Sequence, residues 1–129
     1  MDVRLTSGIT HEDSRGTLRS VNAFDMSPVK RFYTISNSFE ISRRGWIMHK
    51  CETKWFFPLR GKTTIIIEPD QIDLAGVSQR ITLDASKPAV LEVPPNTWFV
   101  IEQDGTAEVQ VFSNCCVGEF ANDDFRRPL

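Results

Sequence analysis

Apolar and polar positions alternate in short runs along most of the chain, and the runs are separated by Gly, Pro, Asp and Asn. Alternation with a period of two marks a strand that buries one face, because successive side chains point to opposite sides of a pleated sheet. The pattern predicts strands over 17–24, 30–36, 45–50, 53–59, 62–68, 79–83, 89–93, 97–102 and 107–113. These segments are rich in Val, Ile, Thr, Phe and Trp, whose branched or flat side chains suit a half-buried pleated surface. Arg60-Gly61 and Asp104-Gly105 are expected to close hairpins, since Gly adopts positive φ without steric cost. No stretch holds a capped 3.6-residue period, and residues 120–127 are expected to form the one short helix. No repeat or linker divides the 129 residues, so a single domain is expected. Many short strands at this spacing give an all-β jelly-roll barrel or sandwich.

Strand parity then selects candidate chemistry. In the segment 45–51, Ile47, His49 and Cys51 share one face, and Trp46, Met48 and Lys50 take the other. In the next strand Lys54 and Phe56 share a face opposite Trp55 and Phe57. A titratable group turned into an apolar barrel costs free energy unless it is paired or used. His49 and Lys54 are therefore the first residues that need an explanation.

Composition narrows the range of functions. Fifteen Lys and Arg against seventeen Asp and Glu give a net charge of −2. That balance lacks the basic footprint of a nucleic-acid or anionic-membrane binder. The only histidines are His11 and His49, and the cysteines are Cys51, Cys115 and Cys116. Neither a His-rich metal centre nor a disulfide framework can be assembled from them, and no pair has CxxC spacing. Reduced thiols in a cytoplasmic protein are expected. The first sixteen residues hold no apolar core of signal-peptide length, and the apolar runs 55–59 and 65–67 are too short to span a bilayer.

Several motifs in fixed order resemble those of the cupins. Ile47-x-His49, then Lys54 after four intervening residues, then Gly61 after six more, has the spacing of the first cupin motif, G-x5-H-x-H-x3–4-E-x6-G. Pro94-x-Asn96-x2-Phe99 has that of the second, P-x-G-x2-H. Asp13-Ser14-Arg15-Gly16-Thr17-Leu18 resembles the opening of the dTDP-4-dehydrorhamnose 3,5-epimerases. The segment from Ser42 to Lys50 resembles the S-x-R-G-x-H-x-H-K run of the dTDP-4-keto-6-deoxyglucose 3,4-ketoisomerases, the WxcM-like branch. Lys30-Arg31-Phe32-Tyr33-Thr34-Ile35, Val93-Pro94, Trp98 and Asp124-Phe125 continue the order. The departures are specific. Ile47 stands where the epimerases carry the catalytic base, Lys54 where metal cupins carry a Glu, and Phe99 where the second motif carries a His. One imidazole is short of the three or four protein ligands that a metal needs, so no metal and no cofactor are expected.

The resemblance implies a sugar-nucleotide isomerase or epimerase that removes the proton next to the ketone of a dTDP-4-keto-6-deoxyhexose, in deoxysugar and polysaccharide biosynthesis. His49 is then the base, because imidazole titrates near neutrality. Lys54 stabilises the enolate, and Tyr33 donates a proton to the sugar. Arg15 and Arg44 contact the diphosphate as planar, permanently charged donors. Lys50 and Trp98 complete the substrate contacts, and the partner is a second copy in a homodimer that exchanges its N-terminal strand. Each residue also has a plainer reading. His49 would be a core-edge histidine on a backbone carbonyl, Lys54 a stem packed on the sheet, Tyr33 a core tyrosine, and the arginines surface groups in turns. Two other functions stay open on the sequence: a dTDP-sugar binding module that has lost its base, and a degenerate cupin kept for an interaction surface.

Overall fold

A computed structural model describes residues 3–38, 42–74, 76–116 and 123–129. Its strands are β1 (Arg4–Ser7), β2 (Ile9–Asp13), β3 (Gly16–Ser20), β4 (Arg31–Ile35), β5 (Arg43–Met48) and β6 (Lys54–Arg60), followed by β7 (Lys62–Pro69), β8 (Gln79–Asp84), β9 (Ala89–Val93), β10 (Thr97–Gln103), β11 (Glu108–Ser113) and β12 (Phe125–Arg126). They form two five-stranded sheets, β1-β9-β6-β11-β4 and β12-β5-β10-β7-β8, and a separate two-stranded pair, β2-β3. All pairings are antiparallel. The result is the expected all-β cupin jelly roll. No described helix is long and apolar enough to cross a membrane.

The core lies between the two large sheets. Phe56, Leu91, Val93, Val109 and Val111 from the first pack against Ile65, Ile67, Leu83, Phe99 and Ile101 from the second. These are the alternate residues of their strands, so the period-two pattern is what closes the sandwich. The buried Gln103 is satisfied from both sides: it donates to the Ile35 carbonyl at 3.0 Å and accepts from the Asn37 amide at 2.7 Å.

Four expectations are corrected. Neither glycine turn closes a hairpin, because β6 and β7, and likewise β10 and β11, belong to different sheets. Gly61 (φ 63°) instead turns the chain across the sandwich, where a Cβ would come within 3.1 Å of Ala107 Cα. The strand expected over 17–24 ends at Ser20, and β1 and β2 were not expected at all. Every residue of β2 is exposed, so no burial periodicity marks it. The helix expected over 120–127 falls partly outside the described residues, and in the rest Phe125–Arg126 pairs with Met48 and Ile47 along the edge of β5. An open strand edge offers the backbone a ready ladder, which a short uncapped helix cannot match. In the second motif, Asn96 takes the glycine position with φ 61°, a left-handed conformation that Asn tolerates better than most residues.

Candidate functional site

A cavity of about 850 Å³ opens between the sheets, walled by β4, β5, β6 and β10 and by the C-terminal segment. The pairing register assembles its floor. Arg31, Ser113 and Lys54 are direct cross-strand partners on β4, β11 and β6, and the next inward row is Tyr33, Val111 and Phe56. Three polar side chains thus stand abreast at the edge of an apolar core.

They converge on Glu52, a residue that strand parity did not single out because it lies in the loop between β5 and β6. Its carboxylate accepts from Ser113 Oγ at 2.6 Å and pairs with Lys54 Nζ at 2.9 Å and an Arg31 nitrogen at 3.6 Å. Burial by itself pushes the Glu52 carboxyl up, but the Ser113 and Lys54 hydrogen bonds and the charges of Lys54 and His49 bring it net below the usual glutamate range. Lys54 Nζ also donates to Tyr33 Oη at 2.6 Å, which leaves the tyrosine proton free to be donated elsewhere. Lys54 is nearly buried and faces inward with Phe56, as parity required. Its charge is offset by Glu52 rather than presented bare to the cavity.

His49 also faces the cavity. Its Nδ1 lies 2.9 Å from the Asp123 carbonyl oxygen. A carbonyl only accepts, so Nδ1 carries the proton and Nε2 carries the lone pair. Nε2 is buried and has no hydrogen-bond partner among the described residues. An unsatisfied buried acceptor costs about 1–3 kcal/mol, so this nitrogen has unmet hydrogen-bonding capacity beside the cavity that His49 lines. Asp123 is a second residue that sequence reasoning missed. Its carboxylate accepts the consecutive backbone N–H groups of Lys50, Cys51 and Glu52 at 2.7–3.1 Å, folding the loop that delivers Glu52. The acidic C-terminal motif was the only signal that pointed there.

The positions of the remaining candidates divide. Arg44 lines the cavity, although simple alternation within 43–48 would put it on the face opposite Ile47. A register shift between Phe99 and Val100 accounts for this: Ile47 pairs with Phe99 and Arg44 with Ile101, so Trp46 is the extra residue of a bulge. Gly45 (φ 127°) makes the bulge possible, because a Cβ there would lie 2.6 Å from the Phe99 carbonyl oxygen. Arg44 Nε donates to the neutral Asn37 Oδ1 at 2.8 Å, and no carboxylate pairs with it among the described residues. Arg126 also reaches the cavity, paired with Asp124 at 2.9 and 3.0 Å, and that pairing holds the Asp124 carboxyl below its usual range.

Four expectations do not hold within one chain. Arg15 sits at the tip of the β2–β3 hairpin with its side chain 85% exposed and paired to Asp13 at 2.6 Å, away from the cavity wall. Lys50 is exposed and lies over the Phe125 ring. Trp98 alternates with the inward Phe99 and so faces outward, where it stacks on Arg127 and bonds Asp70. Cys51 is exposed rather than inward, because β5 ends at Met48 and the Asp123-capped loop breaks the alternation. Of the other cysteines, Cys115 is buried and Cys116 exposed.

His49, Glu52 and Asp123 have ligand atoms within 4.8 Å of one another, a grouping that could hold a metal on spacing alone. The two carboxylates are already engaged. The Asp123 carboxylate is taken by backbone N–H groups, and Glu52 holds the ammonium of Lys54 where an ion would sit. The donor set does not fit a metal.

Comparisons place this geometry among known proteins. The chain matches the FdtA family, described as WxcM-like, C-terminal, over residues 1–127. No curated protein matches it. Among solved structures, a 3,4-ketoisomerase from Helicobacter canadensis is 20% identical with a TM-score of 0.78, covering 98% of this chain and 92% of that one. The 3,4-ketoisomerase QdtA from Thermoanaerobacterium thermosaccharolyticum, in complex with TDP, is 20% identical with a TM-score of 0.77, covering 98% and 88%. The 3'-monoepimerase ChmJ from Streptomyces bikiniensis, in complex with dTDP-quinovose, is 13% identical with a TM-score of 0.80, covering 96% and 68%. At these identities the structural likeness speaks for the fold, while the family match spans nearly the whole chain. The protein therefore belongs to the FdtA family of WxcM-like C-terminal domains.

Proposed function

We propose that the protein is an isomerase or epimerase that binds a dTDP-linked 4-keto-6-deoxyhexose and removes the proton next to its ketone. The observation that carries this reading is the unpartnered Nε2 of His49, held as a lone-pair acceptor on the cavity wall by the Asp123 carbonyl. The C–H proton passes to Nε2, and the bonding pair enters the enolate. The enolate oxygen takes a hydrogen bond from Tyr33, whose oxygen is itself supported by Lys54 at 2.6 Å. Return of the proton to the same carbon from the opposite face gives the epimer; its return to the old carbonyl carbon gives the keto isomer, with the proton of the adjacent hydroxyl passing to the enolate oxygen, and neither outcome needs an oxidant or reductant. The test is incubation with dTDP-4-keto-6-deoxyglucose in heavy water. Deuterium entering the ring next to the ketone supports the reading, and an unexchanged ring excludes this substrate.

Arg44 is the diphosphate contact in this reading, since it lines the cavity and no carboxylate pairs with it among the described residues. Arg44→Ala is expected to weaken dTDP binding about 10- to 100-fold in calorimetry, the worth of a charge-assisted hydrogen bond or two. Arg44→Lys should restore only part of it, because an ammonium cannot bond two phosphate oxygens as a planar fork does.

The second copy follows from the hairpin. A two-stranded hairpin is marginal in water on its own, and β2–β3 exposes Ile9 and Leu18 with nothing to bury them among the described residues. The outer face of the first sheet offers one apolar group for it, Phe32, which is 69% exposed beside Phe112, while Trp55 in the same row is already covered by Phe24. A partner's hairpin is the route by which Arg15 would reach a cavity. Sedimentation equilibrium at micromolar concentration should give twice the 14.7 kDa chain mass, and a monomer would remove the exchange.

A second reading, a binder without turnover, is favoured by Ile47 and Phe99, which present apolar groups to the cavity where the resemblance implies histidines. It predicts heat on titration with dTDP and no deuterium in the sugar.

A further inference from the structure

β12 pairs through only two residues, Phe125 and Arg126, with β5, yet the segment that carries it supplies both Asp123 contacts on which the site depends. So short a ladder is a weak anchor, and the position of Asp123 needs another source of restraint. That source lies on the opposite side of the sheet. The Arg127 guanidinium sits between two indoles, 4.3 Å from the Trp46 ring centroid and 4.7 Å from that of Trp98. It also grips Glu68, with contacts of 2.7 and 3.5 Å to the two carboxylate oxygens. Glu68 is in turn fixed by the Gly76 amide at 2.9 Å, Trp98 by Asp70 at 3.1 Å, and the Arg127 amide donates to the Trp46 carbonyl. The Arg127 hydrogen bonds, followed by that of Gly76, hold the Glu68 carboxyl below its usual range, so the pair stays charged through neutral pH.

We propose that Arg127, clasped between Trp46 and Trp98 and tied to Glu68, is a positioning residue that holds the C-terminal strand in register and, through Asp123, fixes the tautomer of His49 and the place of Glu52. The clasp uses β5, β7 and β10 as a rigid backing, since Trp46, Glu68 and Trp98 come one from each. Trp46 belongs to the same bulge that turns Arg44 inward, so one irregularity serves both the inner wall and the outer clasp. A planar guanidinium matches this slot as an ammonium does not, because it stacks on both rings while its edge bonds the carboxylate. The catalytic meaning of the clasp rests on the isomerase reading above; its effect on His49 does not.

The experiment is long-range proton–nitrogen NMR of the full-length labelled protein, read on His49, with His11→Gln used only to assign the two histidines. The wild type is expected to show Nδ1 protonated and Nε2 unprotonated at pH above the imidazole titration. Arg127→Ala is expected to shift His49 toward the Nε2–H tautomer that free imidazole favours. It should also lower the deuterium-exchange rate at least tenfold while dTDP affinity stays within threefold. Arg127→Lys should recover the wild-type tautomer in part. A folded Arg127→Ala with an unchanged His49 spectrum overturns the proposal. If that variant does not fold, Trp98→Leu removes one ring of the clasp, and the same two spectra decide the outcome. Because the tautomer is read without substrate, a wild type that shows Nδ1–H but exchanges no deuterium would sink the isomerase reading and leave the clasp standing.

Discussion

His49→Asn should reduce deuterium incorporation next to the ketone by about 10²- to 10⁴-fold, the usual worth of a general base. The same change should leave dTDP affinity within about threefold, since His49 lies on the sugar side of the proposed contacts. Asparagine is the sharp test because its amide still donates to the Asp123 carbonyl, which keeps the local fold, but it has no lone-pair nitrogen to take a proton. A loss of binding in parallel with turnover would mean that His49 supports the cavity rather than the chemistry. Persistence of exchange would move the base elsewhere, and Tyr33 would be the next residue to remove. The position matters because the sequence resemblance implies a base at position 47, where this chain has Ile47, two residues earlier and roughly 6–7 Å along the chain. A base moved by that distance addresses a different part of the same sugar.

Glu52→Gln is expected to cost about 3 kcal/mol of stability at neutral pH, read from urea unfolding. The corresponding fall in melting temperature is roughly 10 °C for a chain of this size. The loss does not come mainly from hydrogen bonds, which glutamine keeps in part. It comes from leaving the buried Lys54 ammonium, with Arg31 beside it, without a negative partner. The pH dependence has a definite sign. Glu52 is held net below its ordinary value, so its contribution is complete above about pH 4.3, the unfolded glutamate value, and is lost as pH falls through the lower folded value. Wild type and Glu52→Gln should therefore differ fully at pH 7 and converge in stronger acid. Parallel curves through that window would show that Glu52 is not the charge that holds the cluster.

The strands most easily anticipated were those with both a buried and an exposed face. β11, with Val109, Val111 and Ser113 buried between half-buried neighbours, and β4, whose residues alternate between half-buried and exposed, carry their own burial periodicity. β1 and β2 carry none, since their pairing gains come from backbone bonds and from whatever covers them rather than from the core. The same division runs through the site. Lys54 was legible because it opens a regular strand beside Phe56 of the same parity, and His49 because it lies one residue past the end of β5 on the parity of Ile47. Glu52 and Asp123 were not, because both lie in loops where no period applies, and they meet across 71 residues of sequence. Trp98 was assigned to the ligand on motif position alone, and alternation with Phe99 turns it to the far side of the sheet.

The sequence by itself determined the jelly roll and the two inward titratable side chains, His49 just past β5 and Lys54 at the start of β6. All of these depend on local alternation and on motif spacing along the chain. Only the tertiary structure decided that Lys54 is neutralised by Glu52, that His49 presents Nε2, that Arg44 faces the cavity and that Arg15 does not reach its wall. The reason is the same in each case. A bulge changes parity by one residue, and a loop or a terminal strand brings in a partner from far along the chain. Neither event leaves a periodic trace in the residues it moves.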